Sequence, residues 1–246
     1  MTPGFMESVD RRVLGGFVLV DAITNNSIPS PLTVTSTQLQ LKANHSGVYA
    51  IFNGPGFSPL TNEFIPTGTW PSPQDFEITV IDPSLRYLAR RAQIQAPQKL
   101  VGTFAPQQVS LYPSPSSTIE PNWAVVRASV TSNAGAPLPW SFVEVLLSDN
   151  SVIATGVTDA RGEALLAVMG LGIQVTSHAT DPVTEATTNV TVQAWFDPTV
   201  LKQPRNWVPD PDDISGNLAN LALKKGSTTG ALGARQTLFA SITISV

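Results

Sequence analysis

The amino-acid sequence predicts an all-β protein built from two tandem antiparallel β-sandwiches and a C-terminal extension that ends in a strand. Three observations predict this fold class. Short segments alternate apolar and polar residues with a period of two, which is typical of strands with one face toward a core. Only 13% of the 246 residues are Asp, Glu, Lys or Arg, and 21 are proline, which favours strands joined by tight turns. A hydrophobic content of 42% with a net charge of -4 provides enough apolar surface for a folded core.

The alternating segments occur in both halves of the chain. Each is expected to be half-buried, with one face toward a core and the other toward solvent. In the second half, the predicted inner faces are Val143, Val145 and Leu147 in one strand and Val190, Val192, Ala194 and Phe196 in another, with Trp195 on the opposite side of the latter. In the first half they are Leu39, Leu41 and Ala43, then Val48, Ala50 and Phe52, then Phe76, Ile78 and Val80.

Proline-rich stretches mark the domain boundaries. Residues 95–122 contain five prolines, which lack the N–H needed for a strand ladder, so we predict a linker over residues 101–121. The first sandwich is expected over residues 1–100 and the second over residues 122–200. Residues 201–246 form a predicted arm with a short helix in LANLALKK, ended by Gly226, and a terminal strand in TLFASITISV. That strand either packs onto its own sheet or adds to the edge of a neighbour's sheet.

Composition excludes several classes of function. The chain has no cysteine, which removes disulfides and thiolate chemistry, and 14 basic against 18 acidic residues provide no field for nucleic-acid binding. No apolar run approaches the roughly 20 residues needed to cross a bilayer. The N-terminal apolar stretch is too short for a signal peptide, so a cytoplasmic location is expected. The three Asn-x-Ser/Thr sequons at Asn25, Asn44 and Asn189 are then chance matches.

The second half contains turn motifs of a known family. In residues 124–168, a first strand VVRASVTS, a turn AGAPLPWSFVEV, a strand IATGVTD and a turn DARGEALL follow one another. Asp159 is suited to accept hydrogen bonds from the N–H groups after it, and Gly162 supplies the positive φ of a tight hairpin. This segment resembles the carboxypeptidase regulatory-like domain, which implies a seven-stranded prealbumin-like sandwich.

The first half resembles a more diverged copy of the same domain. Residues 43–57, ANHSGVYAIFNGPGF, place Asn44 and Gly47 in the roles of Asp159 and Gly162. Residues 76–97, FEITVIDPSLRYLARRAQIQAP, resemble the late strands of such domains. The copy departs from the pattern by a long insertion, TNEFIPTGTWPSP, whereas the second copy has a short acidic loop, DPVTEA.

Groups with a tunable pKa, which catalysis requires, are scarce. The two histidines, His45 and His178, have no metalloprotease-like spacing and are expected to be ordinary turn or surface residues. Asp210, Asp212 and Asp213 could contribute oxygens to calcium, but the run lacks the rest of a calcium loop, so a linker or a helix N-cap at Asp213 is preferred. We therefore predict no catalytic residue, no metal site and no cofactor.

Exposed apolar side chains remain as candidates for protein contacts, because interfaces favour aromatic residues. The candidates are two loop tryptophans, a third near the C-terminal proline cluster, and four apolar residues of the terminal strand: Trp70, Trp140, Trp207, Leu238, Phe239, Ile242 and Ile244.

These observations favour a non-enzymatic structural or adaptor protein that contacts other protein subunits through its loops and C-terminal arm. Domains similar to the carboxypeptidase regulatory-like family occur in phage-tail-like contractile injection systems, so the resemblance implies a cap- or baseplate-end component, including one that forms a symmetric ring of copies. The alternative is a carbohydrate-binding or adhesive surface module that uses Trp70 and Trp140.

Overall fold

The computed structural model describes most of the chain, in nine stretches. These are residues 13–29, 31–57, 71–98, 105–171, 175–176, 184–185, 187–204, 207–220 and 222–246. Within them the protein is all-β, which confirms the predicted fold class. No helix in these stretches has the length and hydropathy needed to span a bilayer.

Seven strands form a first sandwich. They are β1 (Gly15–Asp21), β2 (Thr33–Thr35), β3 (Gln40–Ala43), β4 (Val48–Asn53), β5 (Gln74–Ile81), β6 (Arg90–Ala96) and β7 (Gln107–Leu111). One sheet has the strand order β3-β4-β1-β7 and the other β2-β5-β6. Their inner faces enclose a core that includes Phe17, Ile51, Ile78, Ile94 and Leu111.

The second sandwich also has seven strands in two sheets. Its strands are β8 (Ala124–Ser132), β9 (Phe142–Leu146), β10 (Val152–Val157), β11 (Glu163–Val168), β14 (Thr187–Phe196), β15 (Lys224–Gly233) and β16 (Thr237–Ile244), with a small separate pair, β12 (Val175–Thr176) and β13 (Thr184–Glu185). The sheets have the orders β11-β8-β16 and β10-β9-β14-β15. A 3-10 helix (Pro198–Lys202) and the α-helix α1 (Pro211–Ser215) lie between β14 and β15.

Strand alternation predicted some inner faces and missed others. Val190, Val192, Ala194 and Phe196 lie in the core as predicted, and so do Phe76, Ile78 and Val80. In β4 the expected face is wrong: Ile51 is fully buried, while Val48, Ala50 and Phe52 are only partly covered. β9 is buried on both faces because it lies between β10 and β14 and its outer face is covered at the contact between the sandwiches.

Two equivalent turns set the register of the hairpins. Asp159 Oδ1 accepts hydrogen bonds from the N–H of Arg161 and Glu163 at 2.8 and 3.1 Å, and Gly162 has a φ of 76°. Asn44 Oδ1 accepts from Ser46 and Val48 at 2.9 Å each, and Gly47 has a φ of 77°. The equivalence predicted for these two turns is confirmed.

Topology extends this equivalence to six of the seven strands in each sandwich, the exception being that β3 pairs with β4 whereas β10 pairs with β9. β1 pairs antiparallel with β4, the strand after the first turn, and in parallel with β7, the last strand of its sandwich. β8 pairs antiparallel with β11, the strand after the second turn, and in parallel with β16. The sandwiches are therefore antiparallel except where the first and last strands of each copy meet.

The C-terminal segment completes the second sandwich. β15 pairs with β14 along ten residues and β16 pairs with β8 along eight, so β15 and β16 correspond to β6 and β7 of the first copy. The helix predicted in LANLALKK is wrong, because β15 begins at Lys224 and residues 216–219 form turns. The helix lies earlier, and its N-cap is Asp210, not Asp213. The predicted linker also contains β7, so the connection between the sandwiches begins only after Leu111.

Two glycines of β15 let it approach β16 closely. A Cβ atom on Gly226 would lie 2.5 Å from the Thr243 carbonyl oxygen, and one on Gly230 would lie 2.7 Å from a Leu238 methyl. The first contact is with backbone, which cannot move aside without disturbing β16.

We expect Gly226→Ala to lower the free energy of unfolding by about 1–3 kcal/mol, because the added methyl overpacks the junction of β15 and β16. Urea denaturation measures this change. Ser227→Ala, at the adjacent exposed position, should leave the midpoint nearly unchanged. Equal midpoints for wild type and Gly226→Ala would contradict the close packing.

Candidate functional site

A layer of apolar side chains joins the two sandwiches. Tyr112 from the connecting segment packs with Phe142, Val157 and Trp195 of the second sandwich and with Ile214 of α1. The rings of Tyr112 and Phe142 meet edge to face with centroids 6.4 Å apart. Trp195 is buried here, although alternation placed it on an outer face, because that face is covered at the contact between the sandwiches.

A buried cation lies next to this layer. Arg90, at the start of β6, is 1% exposed. Its Nη2 donates to Asp210 Oδ1 at 2.8 Å and to Asp212 Oδ2 at 2.7 Å, and its Nη1 donates to the Ser110 carbonyl at 2.7 Å. Arg90 therefore ties the first sandwich to residues 207–215, which we call the clasp.

Asp210 carries most of this ion pair. Its side chain is 6% exposed, whereas that of Asp212 is 63% exposed and is therefore well screened by solvent. Burial raises the pKa of Asp210 above its ordinary value, and the Arg90 guanidinium opposes that rise. Asp210 also caps α1 by accepting a hydrogen bond from the Asp212 N–H at 3.1 Å. One carboxylate thus holds both the helix and the first sandwich.

Arg91 makes a second set of bonds to the clasp. Its backbone N–H donates to the Pro209 carbonyl at 2.7 Å, and its Nε donates to the Val208 carbonyl at 2.6 Å. The guanidinium lies 5.0 Å from the centroid of the Trp207 ring, which is within cation–π range. Trp207, predicted as a contact residue for another protein, is therefore half-buried against its own first sandwich.

The corner before β6 is held by a buried carboxylate. Asp82 Oδ1 accepts from the Ser84 hydroxyl and N–H at 2.6 and 2.8 Å, and Oδ2 accepts from the N–H of Arg86 and Tyr87 at 2.9 and 3.0 Å. Burial alone would raise the pKa of Asp82, but these four hydrogen bonds outweigh it and hold the pKa below its ordinary range. The corner fixes Arg86 and Tyr87 at the border of a cleft.

That cleft has a volume of about 500 Å³ and lies between three segments of chain. One wall is the turn after β1, a second is the Asp82 corner, and the third is the segment from Pro113 to Trp123. The Tyr87 hydroxyl donates to Asp21 Oδ2 at 2.7 Å and links the first two walls. Burial raises the pKa of Tyr87, and the bond to Asp21 raises it further, so the phenol stays protonated.

Only one of the described contact candidates presents a large apolar surface. Phe239 is 77% exposed, whereas Ile242 and Ile244 are fully buried and Leu238 packs against the same core. Trp140 has a φ of 61° and packs against both the second core and the layer between the sandwiches. Trp70 lies outside the described residues. Except for Phe239, the described candidates of the terminal strand therefore serve the core of this chain and not a contact with another one.

The residues considered for chemistry are separated in the fold. His45 is exposed in the turn before β4, and His178 lies outside the described residues. Asp213 is exposed on α1, and its carbonyl accepts a hydrogen bond from Asn217 at 2.9 Å. Among the described residues, no group of three or more His, Cys, Asp or Glu side chains could hold a metal ion.

Sequence reasoning missed Arg90, Arg91 and the Trp123 side of the cleft. The adjacent arginines were not a sufficient signal, because β15 also begins with two adjacent positive charges, Lys224 and Lys225. The partners of the arginines were not predictable, since Arg90 and Asp210 are 120 positions apart.

Comparison with known proteins gives few matches. No family model matches the chain, and no curated protein matches it. Among solved structures, the chain is similar to the Bacillus anthracis TIE protein, with 9% sequence identity and a TM-score of 0.25. The alignment covers 95% of this chain and 34% of that one, so the chain spans about a third of the length of that structure. A TM-score this low supports no conclusion about function.

We expect Arg90→Met to destabilise the protein by about 3–5 kcal/mol at pH 7, because the change leaves the buried Asp210 carboxylate without its counter-ion. Urea denaturation is the measurement. Arg161→Met removes an arginine whose ion pairs with Asp159 and Glu163 are at the surface, and it should leave the midpoint nearly unchanged.

The cost of Arg90→Met should also depend on pH. Without Arg90, burial raises the pKa of Asp210 in the folded state above its value in the unfolded chain, so the folded state binds a proton more readily. The variant therefore gains stability relative to wild type as the pH falls through that raised pKa. Midpoints at pH 7 and pH 5 test this, and a gap that widens in acid would contradict the role of Asp210.

Asp82→Asn should destabilise the protein by about 1–3 kcal/mol at neutral pH. The NH₂ group of the amide would face backbone N–H groups whose hydrogen bonds the carboxylate oxygen accepts in wild type. Since the pKa of Asp82 is lowered in the folded state, its stabilisation is complete above the ordinary carboxyl pKa and declines as the pH falls through the folded value. The gap between wild type and variant should therefore shrink below about pH 4. Asp75→Asn, at an exposed position of β5 where the side chain makes no hydrogen bond with a described residue, is the control, and a gap independent of pH would contradict this account.

Proposed function

We propose that this chain is a non-enzymatic structural subunit that joins proteins in a larger assembly. Its most concrete role is a cap- or baseplate-end component of a phage-tail-like contractile injection system. The injection-system part rests on the resemblance of both sandwiches to carboxypeptidase regulatory-like domains, which is an analogy at the level of fold. The observation that best supports a contact role is the exposed Phe239 on the last strand.

The clasp suits a subunit that must keep a fixed shape. Interfaces between domains of one chain usually allow relative motion unless they are large and apolar. Here the apolar layer around Tyr112 is reinforced by the bonds that Arg90 and Arg91 make to residues 207–215. Surfaces on the two sandwiches are thereby held at a constant separation, which is what a spacer between other subunits needs.

The outer face of the sheet β11-β8-β16 is the proposed contact surface. We call it the Phe239 face, and it comprises Arg127, Ser129, Glu163, Phe239 and Ser241. A shallow groove of about 320 Å³ runs along it. Residues 237–246 contain no charged side chain and no proline, so this edge strand lacks the features that usually protect a sheet edge from association. An uncharged strand with an exposed phenyl ring favours a partner that covers it.

The proposed partner at the Phe239 face is a second copy of the chain. Arg127 and Glu163 lie on neighbouring strands at this face, with Arg127 paired across from Phe239 and Glu163 across from Ser129. A two-fold axis brings each patch against its own copy, so a face that carries both charge signs beside an apolar centre is self-complementary. Glu163 is also ion-paired with Arg161 of its own chain at 2.9 Å, and Arg127 donates to the Pro115 carbonyl at 2.7 Å, so the proposed contact rests mainly on the two phenyl rings, with these charges at its rim.

We expect the full chain to self-associate with increasing concentration and Phe239→Ser to remain monomeric over the same range. Removing the ring takes away the main apolar surface of the contact. Sedimentation velocity measures the distribution of species. Leu201→Ser is the matched control, because Leu201 is also an exposed apolar residue, at 56%, but lies on the 3-10 helix. Wild type that stays monomeric at every concentration, or a Phe239→Ser variant that associates as wild type does, would contradict the contact.

The injection-system role has its own test. Intact particles purified from the source organism should contain this chain at a fixed ratio to sheath and tube subunits, measured by quantitative mass spectrometry. Genes for sheath, tube and baseplate proteins should lie beside its gene. Particles that lack the chain, together with unrelated neighbouring genes, would overturn this part of the proposal and leave the self-association result standing on its own.

A further inference from the structure

The cleft beside the Asp82 corner is lined by polar side chains that the fold does not use. Asp21 is fully engaged, since it accepts hydrogen bonds from the Tyr87 hydroxyl and from the N–H groups of Ile23 and Thr24. Six other lining side chains make no hydrogen bond or ion pair with any described residue: Asn26, Ser27, Arg86, Thr118, Glu120 and Trp123. Hydrogen-bonding capacity is thus concentrated on the walls of one cleft and left open.

The charges of the cleft disfavour an anionic ligand. Arg86 supplies one positive charge, and it lies 5.8 Å from the centre of the Tyr87 ring without an ion-pair partner among the described residues. Asp21 and Glu120 supply two negative charges. An anion that pairs with Arg86 meets the repulsion of both carboxylates, whereas a cation is attracted by the carboxylates and repelled by Arg86. A neutral ligand avoids both costs.

The unused groups differ in hydrogen-bonding type. Arg86 and the Trp123 indole only donate, the ionised Glu120 only accepts, and Asn26, Ser27 and Thr118 do both. A hydroxyl group donates one hydrogen bond and accepts up to two, so a molecule with several hydroxyls satisfies donors and acceptors at the same time. This mixture favours a neutral polyhydroxylated ligand over one with only acceptors or only donors.

Trp123 supplies an apolar surface at the same place. It is half-buried and closes the wall formed by residues 113–123. An indole offers a flat apolar face next to a polar N–H, which suits a ligand that is apolar on one side and polar at its rim. A pyranose ring has this shape, with C–H groups on its faces and hydroxyls at its edge. The cleft volume of about 500 Å³ lies within the range of about 300–1,000 Å³ typical of small-ligand sites.

We propose that this cleft binds a short neutral oligosaccharide, with one sugar ring on Trp123 and hydroxyls hydrogen-bonded to Arg86 and Glu120. The site differs from the sugar site expected at Trp70 and Trp140, because Trp140 packs inside its own chain. The cleft adjoins the groove of the Phe239 face, which Pro115 of the segment 113–123 lines, but the two share no lining residue. A structural subunit with this site would bind glycan through the cleft while it contacts proteins elsewhere.

Titration of the full chain by isothermal calorimetry and saturation-transfer NMR tests the proposal. The probes are maltotriose, cellotriose and chitotriose as neutral sugars, trigalacturonate as an anion and the glucosamine trimer as a cation. At least one neutral trisaccharide should bind, and the charged trimers should bind more weakly. Arg86→Ala and Glu120→Ala should each weaken that binding about tenfold, because each removes a charge-assisted hydrogen bond.

The variants separate binding from folding. Arg86 and Glu120 are exposed, and the Asp82 corner uses only the backbone N–H of Arg86, so both alanine variants should unfold at the wild-type midpoint. Trp123→Phe keeps an aromatic face and should retain more affinity than Trp123→Ala. Phe239→Ser is the matched control and should bind as wild type does. The proposal is overturned if no neutral trisaccharide binds, if a charged trimer binds more tightly, or if Arg86→Ala and Glu120→Ala bind with unchanged affinity.

Discussion

The buried guanidinium of Arg90 is the interaction on which the arrangement of the two sandwiches depends. A buried cation requires partners, and Arg90 obtains them from the Ser110 carbonyl of its own sandwich and from Asp210 and Asp212 of the clasp. The connection between β14 and β15 therefore passes along the first sandwich before β15 and β16 complete the second sandwich. Separating the clasp from the first sandwich would leave Arg90 and Asp210 without their charged partners. The contact between the sandwiches therefore contributes to the stability of the whole protein.

Local turn chemistry was predictable from the sequence, because its determinants are neighbours in the chain. The Asp159 and Asn44 turns each combine a side-chain acceptor with a glycine of positive φ, and both are visible as a short motif. The partner of the terminal strand was left open by local pattern alone. TLFASITISV could add to any sheet edge, and only the equivalence of β16 with β7 identifies β8 as its partner. Counting strands in the first copy would have indicated two missing strands in the second.

The candidate contact residues show where alternation is informative and where it is not. In β16 a period of two already separates Phe239 from Leu238, Ala240 and Ile242, and the structure exposes the first and covers the other three. Trp195 and Trp207 follow no such rule. Each has a face that a single sandwich would leave in water, and each is covered by a contact between sandwiches or with Arg91. The residues that bury these two tryptophans lie about a hundred positions away in the chain. A local sequence pattern therefore cannot predict their burial.

The clasp and the cleft derive from equivalent connections of the two copies. In the first copy the connection between β5 and β6 is the short Asp82 corner, which ends at Arg90 and borders the cleft. In the second copy the connection between β14 and β15 is long and contains the clasp. The same stretch, residues 82–91, also receives the segment between the sandwiches, because Leu88 donates to the Tyr112 carbonyl and Ser114 donates to the Arg86 carbonyl. The clasp at one end of this stretch therefore holds in place the wall of the cleft at the other.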